Sequence, residues 1–318
     1  MARKRDHGGG LDGAMARWGG QRADWLDLST GINPVPYPVG AVKAPDWTAL
    51  PDQAALTHLL SAARRFWDVP EGAQVVAAPG TSALIARMPW LTHQPGAVYI
   101  PGPTYNEHAA AFRGAWGACI TEIDDTAPVH IYVHPNNPDG RLWPDRVIAD
   151  RPLTIIDESF CDIAPGCSHV GHAVRPGVVV LKSFGKFWGL AGLRLGFAIA
   201  APQTLAGLED QLGPWAVSGP ALTIGARALA DRVWADATRM RLTDDAARLD
   251  RLAAQAGLPL VGGTSLFRLY ETANAAACQG QLGQARILSR IFPYSDRWIR
   301  LGLPGTADDW DRLEEALT

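Results

Sequence analysis

Residues 183–197 read Ser-Phe-Gly-Lys-Phe-Trp-Gly-Leu-Ala-Gly-Leu-Arg-Leu-Gly-Phe, and their reading decides the fold. They set Lys186 in an apolar loop between a β-branched run at 177–181 and a second apolar run at 196–200. A lysine acts as an amine nucleophile near neutral pH when its pKa is lowered, and Phe187, Trp188 and Leu190 are expected to supply the desolvation that lowers it. Ser183, three residues before, and Arg194, eight after, offer a hydroxyl and a guanidinium suited to a phosphate. A lysine beside aromatics more often snorkels at the surface than reacts, so this segment takes its meaning from its surroundings.

Similar short apolar runs lie upstream at 74–78, 97–100, 129–133 and 153–156. Together with 177–181 and 196–200 they read as buried strands of a mostly parallel sheet, which makes the fold α/β. Polar or glycine-bearing loops follow most of them, at 79–82, 101–105, 134–138, 157–158 and 183–186. In an open α/β sheet that edge is where ligands bind. Beyond about residue 205 the chain turns to alanine- and arginine-rich helical stretches. An alternating segment at 287–303 and a closing helix from Ala307 complete a second, smaller α+β domain. The expected division is a large domain at 34–205 and a small one formed by 1–33 and 206–318, with an N-terminal arm.

With 318 residues, 47% hydrophobic and 19% charged, the chain can bury a sizeable core. A formal charge of -3 gives no basic field to attract nucleic acid or anionic lipid. Cys119, Cys161, Cys167 and Cys278 form no CxxC pair and no zinc-type spacing with histidine, so neither a disulfide framework nor a metal site is expected. The charged start, Met1 to His7, lacks the apolar segment of a secretory leader, no run is long enough to span a membrane, and a reducing cytoplasm is the expected location.

Single residues in the strand-end loops have plain structural readings as well as functional ones. Gly80-Thr81-Ser82 can cap a helix or offer N–H groups and hydroxyls to a phosphate. Tyr105 can be core or a stacking ring. Asn136-Asn137 sits among prolines as turn formers do, and Asp157 after its strand can be an N-cap.

Five such features in one order, each at a strand's end, resemble the class I/II aminotransferase superfamily, the pyridoxal-5'-phosphate (PLP) enzymes of fold type I. Its lysine motif reads Ser/Thr-x-Ser/Thr-Lys, an apolar stretch, then Gly-Leu-Arg-x-Gly. The resemblance implies an aspartate-aminotransferase-like fold in which Lys186 forms the Schiff base with PLP. It implies that Asp157 pairs with the protonated pyridine nitrogen, that Asn137 bonds the phenolic oxygen, and that Tyr105 stacks on the ring. Gly80, Thr81, Ser82, Ser183 and Arg194 would hold the cofactor phosphate. Gly185 stands where the family has a hydroxyl residue, and Phe160 where many members have tyrosine.

Within the superfamily the chain is similar to the histidinol-phosphate aminotransferases and, further, to the L-threonine-O-3-phosphate decarboxylases of cobalamin biosynthesis. His7-Gly8-Gly9 and the segment Trp-Leu-Asp-Leu-Ser-Thr-Gly-Ile-Asn-Pro at 25–34 carry the second likeness, with Gly31 in place of an asparagine. That likeness implies a cytoplasmic homodimer that decarboxylates L-threonine O-3-phosphate to (R)-1-amino-2-propanol phosphate. His7, Asn33, Arg290 and Arg300 would bind the substrate, whereas Arg268 and Arg297 read as solvated. Leu50 stands where the family has a tyrosine that reaches the neighbouring subunit's cofactor phosphate. Two alternatives stay open: an aminotransferase of the histidinol-phosphate kind, and a PLP-fold protein that only binds, against which Lys186, Asp157 and Arg194 together argue.

Overall fold

The structure is a computed structural model that describes residues 7–92 and 96–318. Two compact units emerge, the larger comprising Tyr37–Asn137 and Arg141–Asp236, the smaller Met1–Pro36, Pro138–Gly140 and Ala237–Thr318. Strands are numbered in chain order, and β1 (Leu26–Asp27) belongs to the smaller unit.

The larger unit is built on β2 (Gln74–Ala78), β3 (Val98–Tyr99), β4 (Ile120–Thr121), β5 (Val129–Val133), β6 (Leu153–Asp157), β7 (Val178–Ser183) and β8 (Gly196–Ala200), in the order β2-β8-β7-β6-β5-β3-β4. Strands β4, β3, β5, β6 and β7 pair in parallel, and β8 runs antiparallel to both β7 and β2. The mostly parallel sheet expected from the apolar runs is therefore present. Strand β4, two residues long at the edge, carries too little periodicity to be read in advance. Buried side chains of Val129, Ile131, Leu153, Ile155, Val179 and Leu181 form the centre of the core, with Leu84, Met88 and Phe112 packed against them. Helix Gly219–Ala230 packs on helix Gln53–Phe66. The larger unit consequently extends to Asp236, past the boundary expected at residue 205.

Two backbone features gather the loops at one sheet edge. Register places Val133 beside Asp157 and Asp157 beside Leu181, so β5 and β6 end side by side and β7 runs two residues further, to Ser183. At the start of β8, Gly196 lies so close to the Thr81 backbone nitrogen that a Cβ would clash with it. That absence of a side chain brings the 80–82 turn onto the same edge.

Lys182 and Leu181 point to opposite faces of β7, as the two-residue period requires. Leu181 joins the core, whereas Lys182, 1% exposed, donates from Nζ to Glu158 Oε2 at 2.5 Å and lies 3.7 Å from Asp162 Oδ1. The Glu158 carboxylate also accepts from Ser168 Oγ at 2.6 Å and the His169 backbone N–H at 2.5 Å. Burial disfavours both charges, yet each stabilises the other: Glu158 titrates below the ordinary carboxylate range and Lys182 above the ordinary lysine range.

The smaller unit holds β9 (Leu260–Thr264), β10 (Phe267–Glu271), β11 (Ile287–Leu288), β12 (Arg290–Phe292) and β13 (Ser295–Gly302). An antiparallel sheet runs β12-β13-β10-β9, and β1 pairs in parallel with β11. Leu11, Ala14, Trp25 and Leu288 make a satellite cluster.

Replacing Lys182 with methionine leaves Glu158 buried without its cation. The expected loss is about 3–5 kcal/mol of stability, read as a lowered urea midpoint. A loss below about 1 kcal/mol, no larger than for an exposed pair, would show that the pair does not hold this part of the fold.

Candidate active site

The strand-end loops of the larger unit line one cleft, whose walls include Gly80, Thr81, Ser82, Tyr105, Asn137, Asp157, Phe160, Ser183, Lys186 and Arg194. Every residue that the sequence associated with a cofactor is therefore in one place. Asp157, the last residue of β6, is 2% exposed. Its Oδ1 accepts from the Ser159 backbone N–H at 3.0 Å and from Ser159 Oγ at 2.5 Å, and its Oδ2 faces His108 Nε2 at 2.8 Å. Burial alone would raise this carboxyl's pKa, but the contacts from His108 and Ser159 hold it below the ordinary carboxylate range. The floor of the cleft thus carries a fixed negative charge.

His108 was not anticipated. It follows Tyr105 by three residues in the first turn of helix Asn106–Trp116, which puts the two on one helical face. Their rings lie edge to face, 6.2 Å apart. That spacing was the available signal, but Asp157, its partner, is 49 positions away.

Opposite charge gathers at the 80–82 turn. Gly80, at φ 89°, leaves room for the Arg194 guanidinium, whose Nη2 would lie 2.5 Å from a Cβ there. Arg194 itself sits at φ 53°, and its Nη1 donates to the Ala191 carbonyl at 3.1 Å. Ser82 is exposed and Ser183 half-buried beside it in the cleft wall, while the Thr81 hydroxyl donates to the Lys182 carbonyl at 3.1 Å and is thereby committed to the fold.

Lys186 is half-buried, with Nζ 5.3 Å from the Phe160 ring centre. Phe187 and Trp188, expected to desolvate it, pack into an aromatic cluster with Phe184, Tyr37 and Trp234. Their contribution is to anchor the loop, and Phe160 is the ring beside the amine.

Comparison with known proteins fits this geometry. Residues 122–317 match the family described as aminotransferase class I and II. A threonine-phosphate decarboxylase from Sinorhizobium sp. is 42% identical, over 98% of this chain and 97% of its own length. The chain belongs to the class I and II aminotransferase family. Another family relative, a threonine-phosphate decarboxylase from Pseudomonas aeruginosa, is 38% identical over the same shares of the two chains. Among solved structures, a histidinol-phosphate aminotransferase from Sinorhizobium meliloti in complex with pyridoxal-5'-phosphate superposes with a TM-score of 0.84. At 19% identity, over 99% of this chain and 94% of that one, it shows that the fold is shared.

The residues assigned to substrate all lie in the smaller unit of this family member. Arg290 and Arg300 are cross-strand partners on β12 and β13. Like charges directly opposite destabilise a sheet, and burial aggravates the conflict: Arg300 is 5% exposed, and desolvation, then Arg290, pulls its pKa down to about 10. Arg300 Nη2 donates to the Ser29 carbonyl at 2.8 Å, and Ser29 Oγ accepts from the Gly9 N–H at 2.7 Å, so the His7-Gly8-Gly9 segment and Arg300 meet at one residue. Asn33 is buried, and its Oδ1 accepts from Val35 N and Arg241 Nη2. Arg268, expected to be solvated, instead forms a two-pronged ion pair with Asp250. Arg297 is exposed and pairs with Glu271.

His108→Leu removes a contact from a buried carboxylate and should cost about 1–3 kcal/mol near neutral pH. Because the folded pKa of Asp157 is depressed, its contribution is present above the unfolded value, about 3.9, and is lost as pH falls through the folded value. In the variant that loss begins at higher pH. Urea midpoints measured against pH test this, and superimposable profiles would show that His108 does not hold the charge.

Proposed function

We propose that this chain is a PLP-dependent enzyme that decarboxylates L-threonine O-3-phosphate to (R)-1-amino-2-propanol phosphate, a step of cobalamin biosynthesis. The observation that carries the reading is the pair of nearly full-length relatives, 42% and 38% identical, that bear the name threonine-phosphate decarboxylase. The cleft fits the cofactor chemically. A buried, ionised carboxylate suits a protonated ring nitrogen, and Arg194 with Ser82 and Ser183 suits a phosphate.

Bound PLP supplies an electron sink for the bonding pair left behind when the carboxyl group departs. The residues of this chain then have distinct tasks. Asp157, held ionised by His108 and Ser159, keeps the proton on the ring nitrogen. Tyr105 would stack on the ring, Asn137 would donate to its phenolic oxygen, and the 80–82 turn, Ser183 and Arg194 would hold the phosphate. Lys186 Nζ would be the nucleophile that binds the cofactor, and it or a water would hold the proton that returns to Cα. Arg290 and Arg300 are assigned to the carboxylate and phosphate of the substrate, with His7 and Asn33 assisting. Because Asn33 Oδ1 already serves the fold, a substrate contact there comes from the amide nitrogen.

A cytoplasmic homodimer completes the proposal. Its support is the family resemblance, with Leu50, 64% exposed, standing in place of the tyrosine that reaches the neighbouring subunit in the family.

Incubation with O-phospho-L-threonine should release carbon dioxide in step with loss of substrate. Formation of a keto acid with amino transfer to an added acceptor would favour the aminotransferase instead. Lys186→Ala should melt like the parent, release no carbon dioxide and give no cofactor adduct on borohydride treatment. Asp157→Asn should retain PLP while turnover falls roughly 10²- to 10³-fold, the usual scale for removing one electrostatic stabiliser.

Arg290→Ala should weaken O-phosphothreonine roughly ten- to a hundred-fold, the worth of one charge-assisted contact, and leave PLP affinity intact. Calorimetric titration of both ligands reads the difference. Equal weakening of the two would remove Arg290 from the substrate site.

A further inference from the structure

Away from the cleft, three side chains of the larger unit converge without serving the reaction. Asp145, His169 and His172 each offer one ligand atom, and these atoms lie within 4.8 Å of one another. We propose that they form a binding site for a divalent transition-metal ion, zinc by chemical preference, that ties together two loops behind the active-site floor.

The surroundings of the two His169 ring nitrogens carry the argument. Its Nε2 lies 2.9 Å from the Trp143 carbonyl oxygen, which can only accept, so Nε2 bears the proton. In the neutral ring Nδ1 then presents a lone pair. That atom is buried in a side chain 3% exposed and makes no hydrogen bond, although Asp145 Oδ1 is 3.1 Å away. A lone pair facing a carboxylate oxygen at that distance is repulsive until a cation comes between them. A backbone carbonyl fixing the far nitrogen of the ring is the arrangement that orients histidines at metal sites.

Two of the three ligand separations suit a small ion, and the third lies within 4.8 Å. His172 Nε2 is 3.5 Å from the same Asp145 oxygen. Zinc bonds of about 2.0–2.1 Å at tetrahedral angles separate neighbouring ligands by about 3.3–3.4 Å, between the two values found. His169 is held in place beforehand: its backbone N–H donates to Glu158, and its ring lies 4.4 Å from that of His134. His134 is fixed in turn by the Trp143 N–H at Nδ1 and the Cys167 carbonyl at Nε2. Asp145 is 76% exposed and His172 32%, so one side of the site faces solvent, where water completes the coordination. Two imidazoles and a carboxylate suit zinc, cobalt or nickel better than calcium or magnesium.

Asp145 lies in the connection from β5 to β6, and both histidines lie in the connection from β6 to β7. An ion bridging them would brace the Ser168–His169 segment that grips Glu158, the residue after Asp157. The alternative is a doubly protonated His169 paired directly with Asp145, and that pair would bind no metal.

The holoenzyme, stripped of metal by a chelator and titrated with zinc, should bind about one equivalent per chain and melt at a higher temperature. Cobalt should give the visible bands of a four-coordinate ion. Asp145→Asn and His172→Asn, both at the surface, should melt like the metal-free parent and bind zinc ten-fold or more weakly, the usual cost of disturbing a metal site. Their melting temperatures should no longer rise with zinc. Cys167→Ser should bind as the parent does. Failure of the parent to take up zinc, parent-like affinity in both ligand variants, or loss of binding in Cys167→Ser would overturn the site.

Discussion

The in-register pairing of β5, β6 and β7 is the constraint from which the active-site cleft follows. Because Val133, Asp157 and Leu181 lie side by side, the loops that follow β5 and β6 emerge beside the last two residues of β7. A shift of one residue in β6 would turn Asp157 to the other face and send its neighbour Glu158 into the cleft. The position of the charge therefore rests on backbone pairing, and the backbone pairing rests on the valine-, isoleucine- and leucine-rich strands buried on both faces.

Asp157 and Glu158 show how adjacent carboxylates acquire different duties. Both are buried and both are kept ionised, but Glu158 has a lysine within hydrogen-bonding distance whereas Asp157 has a histidine and a serine. The lysine neutralises Glu158 and locks it into the frame. The softer partners of Asp157 stabilise its charge while leaving it facing the cleft, where a ligand cation can use it. Side-chain alternation along the end of β6 separates the two roles over a single residue.

Much of this was legible in the sequence because it is local. The lysine segment, the glycine turn, the paired asparagines and Asp157 each sit in a short stretch whose pattern identifies it, and the periodicity of the apolar runs places all of them at strand ends. What the sequence concealed depends on distant partners. His108 meets a residue 49 positions away, Arg241 reaches Asn33 across 208, and Trp67 bonds Asp162 across 95. The unit boundary was hidden for a related reason, since helical periodicity in 219–230 reveals an apolar face but not the core that receives it. Phe187 and Trp188 were recognised as buried, but burial does not specify direction, and they pack behind the lysine loop with Trp234.

The side-by-side placement of Arg290 and Arg300 bears on how the protein behaves in ordinary buffers. Two guanidiniums held opposite one another, one of them out of water, repel each other within the smaller unit. Inorganic phosphate and sulfate carry the charge that relieves this repulsion. Such salts are therefore expected to protect the protein from heat through preferential binding to the folded state.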